Sequence, residues 1–185
     1  MKLDIQTILT VIGRRKNSLK NKEFSHLNLQ TTCFQATHLM NAHLEGADLK
    51  NTHFEGADLR NTHFEGADLR NTHFEGADLR NTHFEGADLK NAHLEGSDLM
   101  DAHFEESHLS GAHFEGAFLG YAHLEKSYLE GAHLEGVDLS NASLKEVKNL
   151  IINQLYDVKT LYKAELDESL RSVLIEKYPT LFDEP

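Results

Sequence analysis

Histidine and glutamate recur in this chain with a spacing that invites chemistry. His stands at every tenth position from His43 and His53 through His63, His73, His83, His93, His103, His113 and His123 to His133. Two residues after each comes a glutamate: Glu45, Glu55, Glu65, Glu75, Glu85, Glu95, Glu105, Glu115, Glu125 and Glu135. An imidazole beside a carboxylate is the pairing used to move protons and to hold divalent ions. Catalysis is nevertheless not expected. The pairs sit in near-identical surroundings, so none is singled out for a shifted pKa. Serines are few and fall outside any His–Asp pattern, and no Gly-rich phosphate loop is present. For a metal, a ladder of imidazoles offers two ligands per step for Zn²⁺ or Ni²⁺, without cysteine and without closed geometry. Casual, weak binding is the expectation, so no catalytic residue, metal site or cofactor is assigned.

What positions these pairs is a repeat. Residues 51–90 read NTHFEGADLR three times and then NTHFEGADLK, each decapeptide being two five-residue units. The large apolar residue of each unit is its centre. From Phe24 to Leu144 a Leu or Phe centre stands at every fifth position without an insertion, and a mostly small residue such as Ala47, Thr52, Ala57 or Thr62 precedes it by two. A period of five matches neither a helix nor a strand. Gly and Asn recur two positions after the centre, as in Gly46, Asn51, Gly56 and Asn61, where tight turns take such residues. A chain that turns this regularly stacks its centres into one interior, which is a solenoid.

The pattern resembles that of the pentapeptide repeat family over residues 22–146. The resemblance implies an all-β solenoid, a right-handed quadrilateral parallel β-helix with four units per coil. Twenty-five units then make about six coils, a rod roughly 30 Å long at the ~4.8 Å spacing of adjacent strands. Phe54, Leu59, Phe64, Leu69, Phe74, Leu79, Phe84 and Leu89 become core, at roughly 1.5–3 kcal/mol of burial each. Every fourth unit shares a face, so the His/Glu pairs form columns on two opposite faces. The other two faces carry Asp48, Asp68 and Asp88 beside Lys50, Arg70 and Lys90, and Asp58 and Asp78 beside Arg60 and Arg80. Those faces neutralise themselves, whereas the glutamate columns are expected to form negative stripes.

Net charge is -12, with +5 in residues 1–22, -14 in 23–145 and -3 in 146–185. An acidic body argues against direct nucleic-acid binding and for a basic protein partner, or for no partner at all. Hydrophobic residues at 39% and charged ones at 26% exclude collagen and full disorder. A lone cysteine, Cys33, asks for no oxidising compartment, and no apolar run is long enough to span a bilayer. A cytoplasmic, bacterial protein is the expectation. The leading function is a non-enzymatic interaction scaffold presenting Glu45, Glu55, Glu65, Glu75, Glu85 and Glu95 with His63, His73 and His83. The alternative, implied by the quinolone-resistance and gyrase-inhibiting members of the family, is a DNA-mimicking binder of a gyrase-type topoisomerase.

The ends and the faults in the repeat carry the rest. Residues 1–21 are expected to form an amphipathic helix that caps the rod, with membrane-surface attachment as the alternative. The five-residue phase fails after Leu144, so 147–185 is read as a helical cap or a homodimerisation segment. A short helix is expected over Leu150–Val158. A longer one, N-capped by Asp167, is expected to run to Tyr178 with Leu170, Val173 and Leu174 inward. Phe118, Tyr121 and Tyr128 replace polar residues late in the rod. They are read either as covered by the C-terminal segment or as an aromatic contact patch.

Overall fold

The computed structural model describes residues 27–185. The expected N-terminal helix, 1–21, and the centre Phe24 lie outside the described residues. From Asn28–Asp48 to Tyr128–Lys148, every bridge is parallel and joins residues twenty apart, so each coil holds four five-residue units. The sequence builds the coil by one local rule. The centre Leu49 donates its N–H to the carbonyl of Asp68 on the next coil at 2.8 Å. The chain then turns, with Thr52 N–H returning to Leu49 O at 3.1 Å. The corner residue adopts positive φ: +54° at Asn51 and +64° at Gly56. At Gly56 nothing crowds an added Cβ, so the backbone angle alone accounts for glycine there.

All 24 centres from Leu29 to Leu144 are buried. Phenylalanines line the two sides beneath the His/Glu columns. Phe54 stacks on Phe74 at 5.2 Å and Phe64 on Phe84 at 5.3 Å, while Phe64 meets Phe74 edge to face across the interior at 6.0 Å. Leu59, Leu69, Leu79 and Leu89 fill the sides beneath the aspartates and are fully enclosed. Thr52, Thr62, Thr72 and Thr82 are buried too, but each hydroxyl donates to a leucine carbonyl of the preceding coil at 3.0 Å, so none is an orphan.

The C-terminal segment departs from the expectation in three ways. First, the coil does not stop at 146. Asp138 bridges Thr160, and β1 (Ser143–Leu144) pairs in parallel with β2 (Glu165–Leu166), an offset of 22 where the body has 20. Two inserted residues shift the phase, yet Leu155, Leu161 and Leu166 are buried as further centres. Second, only Ile152–Gln154 is helical within the stretch expected to form a short helix, and it is a single 3-10 turn. Gln154 Nε2 there donates to Leu129 O at 2.7 Å and Ala132 O at 2.9 Å, holding the inserted loop to the coil below. Third, helix α1 (Glu168–Lys177) begins after Asp167, but that carboxylate caps no helix N–H. It accepts instead from Glu146 N–H at 3.2 Å. Leu174 is buried, while Leu170 and Val173 are half-buried. A last turn, Pro179–Phe182, brings Leu181 O to within 2.6 Å of Leu161 N–H, so helix and turn together close the end of the stack.

Candidate functional site

The bridges stack His43, His63, His83, His103 and His123 on one face and His53, His73, His93, His113 and His133 on another. Successive rings lie parallel, with centroids 4.6 Å apart from His63 to His83 and from His73 to His93. From His43 to His113 the glutamate folds back onto its own histidine, whereas His133 lies 4.0 Å from Glu115 of the preceding coil. The Nδ1–Oε1 distance is 2.9 Å for His53–Glu55, His63–Glu65 and His73–Glu75, and 3.1 Å for His83–Glu85 and His93–Glu95. A carboxylate only accepts, so Nδ1 carries the proton in these pairs. The glutamates therefore do not stand out from the rod as free stripes. Glu65 and Glu75 are 36% exposed, and Oε2 of Glu65, Glu75, Glu85, Glu95, Glu105, Glu115 and Glu125 is buried without a donor. At Glu55 burial pushes the carboxyl up, but hydrogen bonds from its own backbone and from His53 outweigh this and hold it below the usual range.

The aspartate faces solve the same problem differently. Arg60 grips Asp58 with two bonds, Nε to Oδ1 at 2.8 Å and Nη2 to Oδ2 at 2.7 Å, and reaches Asp78 one coil on at 3.4 Å. Lys50 lies between Asp48 at 3.2 Å and Asp68 at 3.3 Å. The Arg60 guanidinium holds the Asp58 carboxyl at about 2, and Arg70 and Arg80 hold Asp68 and Asp78 below the usual carboxylate range. Each aspartate from Asp48 to Asp98 on these faces has a Lys or Arg within reach.

The aromatic positions divide. Phe118 and Tyr121 are about half exposed, with the Lys159 ammonium 5.7 Å from the Phe118 ring. Tyr128 is half-buried, stacked on His108 at 4.6 Å, and its hydroxyl accepts from Lys148 at 2.9 Å. A small cleft of about 260 Å³ opens between the last coil and α1, lined by Leu144, Val147, Leu150, Asp167, Ser169 and Leu170. It is distant in sequence from the His/Glu pairs and gathers none of them. The centres Leu155, Leu161 and Leu166 escaped the sequence reading. Their signal was present, since Leu161 and Leu166 are five apart and Ala164 precedes Leu166 by two.

Two family models match the sequence: pentapeptide repeats in eight copies over residues 37–76, and a pentapeptide repeat region over residues 67–144. Their span coincides with the twenty-residue coils. The chain belongs to the pentapeptide repeat family. Its coils place it among the pentapeptide-repeat β-helix solenoids. Solved structures of the family resemble it at low identity. One is HetL, involved in heterocyst differentiation regulation, from the cyanobacterium Nostoc sp. strain PCC 7120, at 21% identity over 89% of this chain and 91% of that one, TM-score 0.36. Rfr23 from the cyanobacterium Cyanothece 51142 shows 22% identity over 83% and 99%, TM-score 0.41. QnrB1, a plasmid-mediated fluoroquinolone resistance protein, shows 19% identity over 86% and 91%, TM-score 0.37. All three scores are low, so membership rests on the repeat itself. No curated protein matches the sequence. Among the described residues, no helix is long and apolar enough to cross a membrane.

Proposed function

We propose that this pentapeptide repeat protein is a non-enzymatic interaction scaffold whose His/Glu faces dock a basic protein surface. One observation carries the reading. Among the described residues, no Lys or Arg pairs with any glutamate from Glu55 to Glu125, while the aspartate columns hold their own Arg and Lys. With neutral imidazoles each His/Glu step keeps a full negative charge, repeated every coil on two faces. Phe118, in an aspartate column, and Tyr121, at the corner before His123, add exposed apolar area near the C-terminal end. In the same reading the coil takes the right hand that the family resemblance implies, and the C-terminal segment serves as cap or homodimer contact.

A labelled lysine-rich peptide, followed by fluorescence anisotropy, tests the charge assignment. Binding is expected at low salt and weaker at physiological salt. The variant Glu65→Gln/Glu75→Gln/Glu85→Gln should weaken it strongly, while the charge-neutral change Asp78→Asn/Arg80→Gln should leave it nearly intact. Equal effects of the two variants would remove the reading. A second reading, a DNA-mimicking binder of a gyrase-type topoisomerase, is favoured by the two negative columns running along opposite faces of one rod. A supercoiling assay decides it: neither inhibition nor protection at micromolar protein would eliminate a topoisomerase as the target.

A further inference from the structure

We infer that the His/Glu columns are binding sites for a divalent transition metal, repeated up each face and each built from two coils. The inference stands apart from the docking of a basic partner, because it needs only the coil geometry. The site is His–Glu–His: His53, Glu55 and His73, for example, bring one nitrogen or oxygen donor each to within 4.8 Å of one another, and the same grouping recurs at successive steps of both columns. The sequence alone suggested two ligands per step. Stacking supplies a third, because a glutamate below another histidine reaches both its own imidazole and that of the next coil. Glu115 Oε1 shows this directly, at 3.2 Å from His113 Nδ1 and 4.0 Å from His133 Nδ1.

The donors suit Zn²⁺, Ni²⁺ or Co²⁺, which take imidazole nitrogen and carboxylate oxygen together. Two donors on one tetrahedral ion at ~2.0–2.1 Å lie about 3.4 Å apart. The His–Glu pairs, at 2.9–3.1 Å in the middle of the rod, need only to open slightly. The neighbouring histidine has further to come. Parallel rings aim their Nδ1 lone pairs side by side, so one ring must turn about its Cβ–Cγ bond. Rings about 30% exposed have room for that turn. Binding replaces the proton on Nδ1. A neutral imidazole recovers it on Nε2 through solvent, so the histidine itself gains no charge. The buried, donor-free Oε2 of Glu65, Glu75, Glu85 and Glu95 leaves those carboxylates half unpaired, which favours a cation there.

Sharing sets the stoichiometry. His73 belongs to the site with His53 and to the site with His93, so adjacent steps compete for it. Five histidines in a column make two disjoint pairs, and two columns make four ions per chain. Removing the second histidine of a column strands the first and leaves one pair. Removing the third leaves both pairs. Calorimetric titration of Zn²⁺ into the full chain, without an affinity tag, should therefore saturate at four ions. His73→Asn should saturate at three and His93→Asn at four. The joint change Glu55→Gln, Glu75→Gln, Glu95→Gln, Glu115→Gln should leave two ions, with its melting temperature in chelator reporting that the rod remains folded. Co²⁺ absorption should count the same numbers. The absence of saturable binding would overturn the inference. So would equal losses in His73→Asn and His93→Asn, which mean single-histidine binding, or a count of four in the glutamine variant.

Discussion

Two kinds of face share one backbone in this rod and resolve their charge in opposite ways. On the aspartate faces, leucines lie beneath, asparagines turn the corners, and each of Asp58, Asp68 and Asp78 is gripped by the arginine two residues on. On the histidine faces, phenylalanines lie beneath, glycines turn most corners, and each of Glu65, Glu75, Glu85 and Glu95 has one oxygen on an imidazole and the other without a donor. Both have the same coil-to-coil hydrogen bonds, so the difference is not in the scaffold. The aspartate faces are closed to further partners because their charges are already matched. The histidine faces put their stability inside, in aromatic stacking, and leave binding capacity outside.

The largest test of this contrast lies in the core. Phe74 stacks on Phe54 and meets Phe64 and Phe84 edge-on, so Phe74→Ala loses ring contacts as well as volume. It should cost ~3–5 kcal/mol in chemical denaturation. Leu79→Ala, beneath an aspartate face, should fall in the lower part of the ~2–5 kcal/mol range for buried leucines. Equal losses would mean the phenylalanine columns are no more than apolar filling.

The corners come next. Glycine at φ near +64° follows Glu55, Glu65, Glu75 and Glu85, but Glu106 and Lys126 hold the same corner at +60° without being glycine. A left-handed angle costs a side-chain-bearing residue ~1–2 kcal/mol, part of which glycine returns as chain entropy. Lys126→Gly should therefore stabilise the rod by about 1 kcal/mol, read as a rise in melting temperature. The corresponding Asn61→Gly on an aspartate corner should gain less, since asparagine tolerates that region.

Smaller again is the effect of the forked pairs, and it carries a pH signature. Asp58 titrates at about 2 because Arg60 grips its ionised form. A carboxyl lowered in the folded state contributes stability above its unfolded pKa of ~3.9, and that contribution is lost as pH falls through about 2. Asp58→Asn should thus melt below the unaltered protein at pH 7, and the gap should close as pH approaches 2. A gap that stays constant would show the fork contributes packing rather than charge.

Much of this was legible in the residues themselves. The five-residue centres fixed the coil, the columns and the Phe/Leu division, because a period with no insertion leaves only one way to stack. The outward geometry of the glutamates was not legible. Sequence spacing places Glu75 on a face but cannot say that the side chain folds back 2.9 Å from His73. The C-terminal coil was hidden by two inserted residues, which moved Leu161 and Leu166 out of phase while leaving them buried. Asp167 follows the sequence rule for a helix cap, but Glu146 N–H lies closer to hand. Tertiary partners outrank local propensity at such ends.

The smallest predicted effect bears most directly on what the histidine faces are for. Glu75 contributes one hydrogen bond, to His73, and carries one buried oxygen with no donor. Its charge also faces Glu55 and Glu95 one coil away, like charges that repel at ~4.8 Å. Glu75→Gln keeps the shape, removes the repulsion and provides an amide donor, while weakening the bond to His73. These changes oppose one another, and the net stability change should stay within about 0.5 kcal/mol. Asp68 offers the contrast: Asp68→Asn strips partners from both Lys50 and Arg70 and should lower the melting temperature measurably. If Glu75→Gln proves as costly as Asp68→Asn, the glutamates are structural and the two faces differ only in residue type. If it is silent for stability while lowering peptide or Zn²⁺ binding, ten glutamates have been kept where the fold does not need them, on the two faces left open to a ligand.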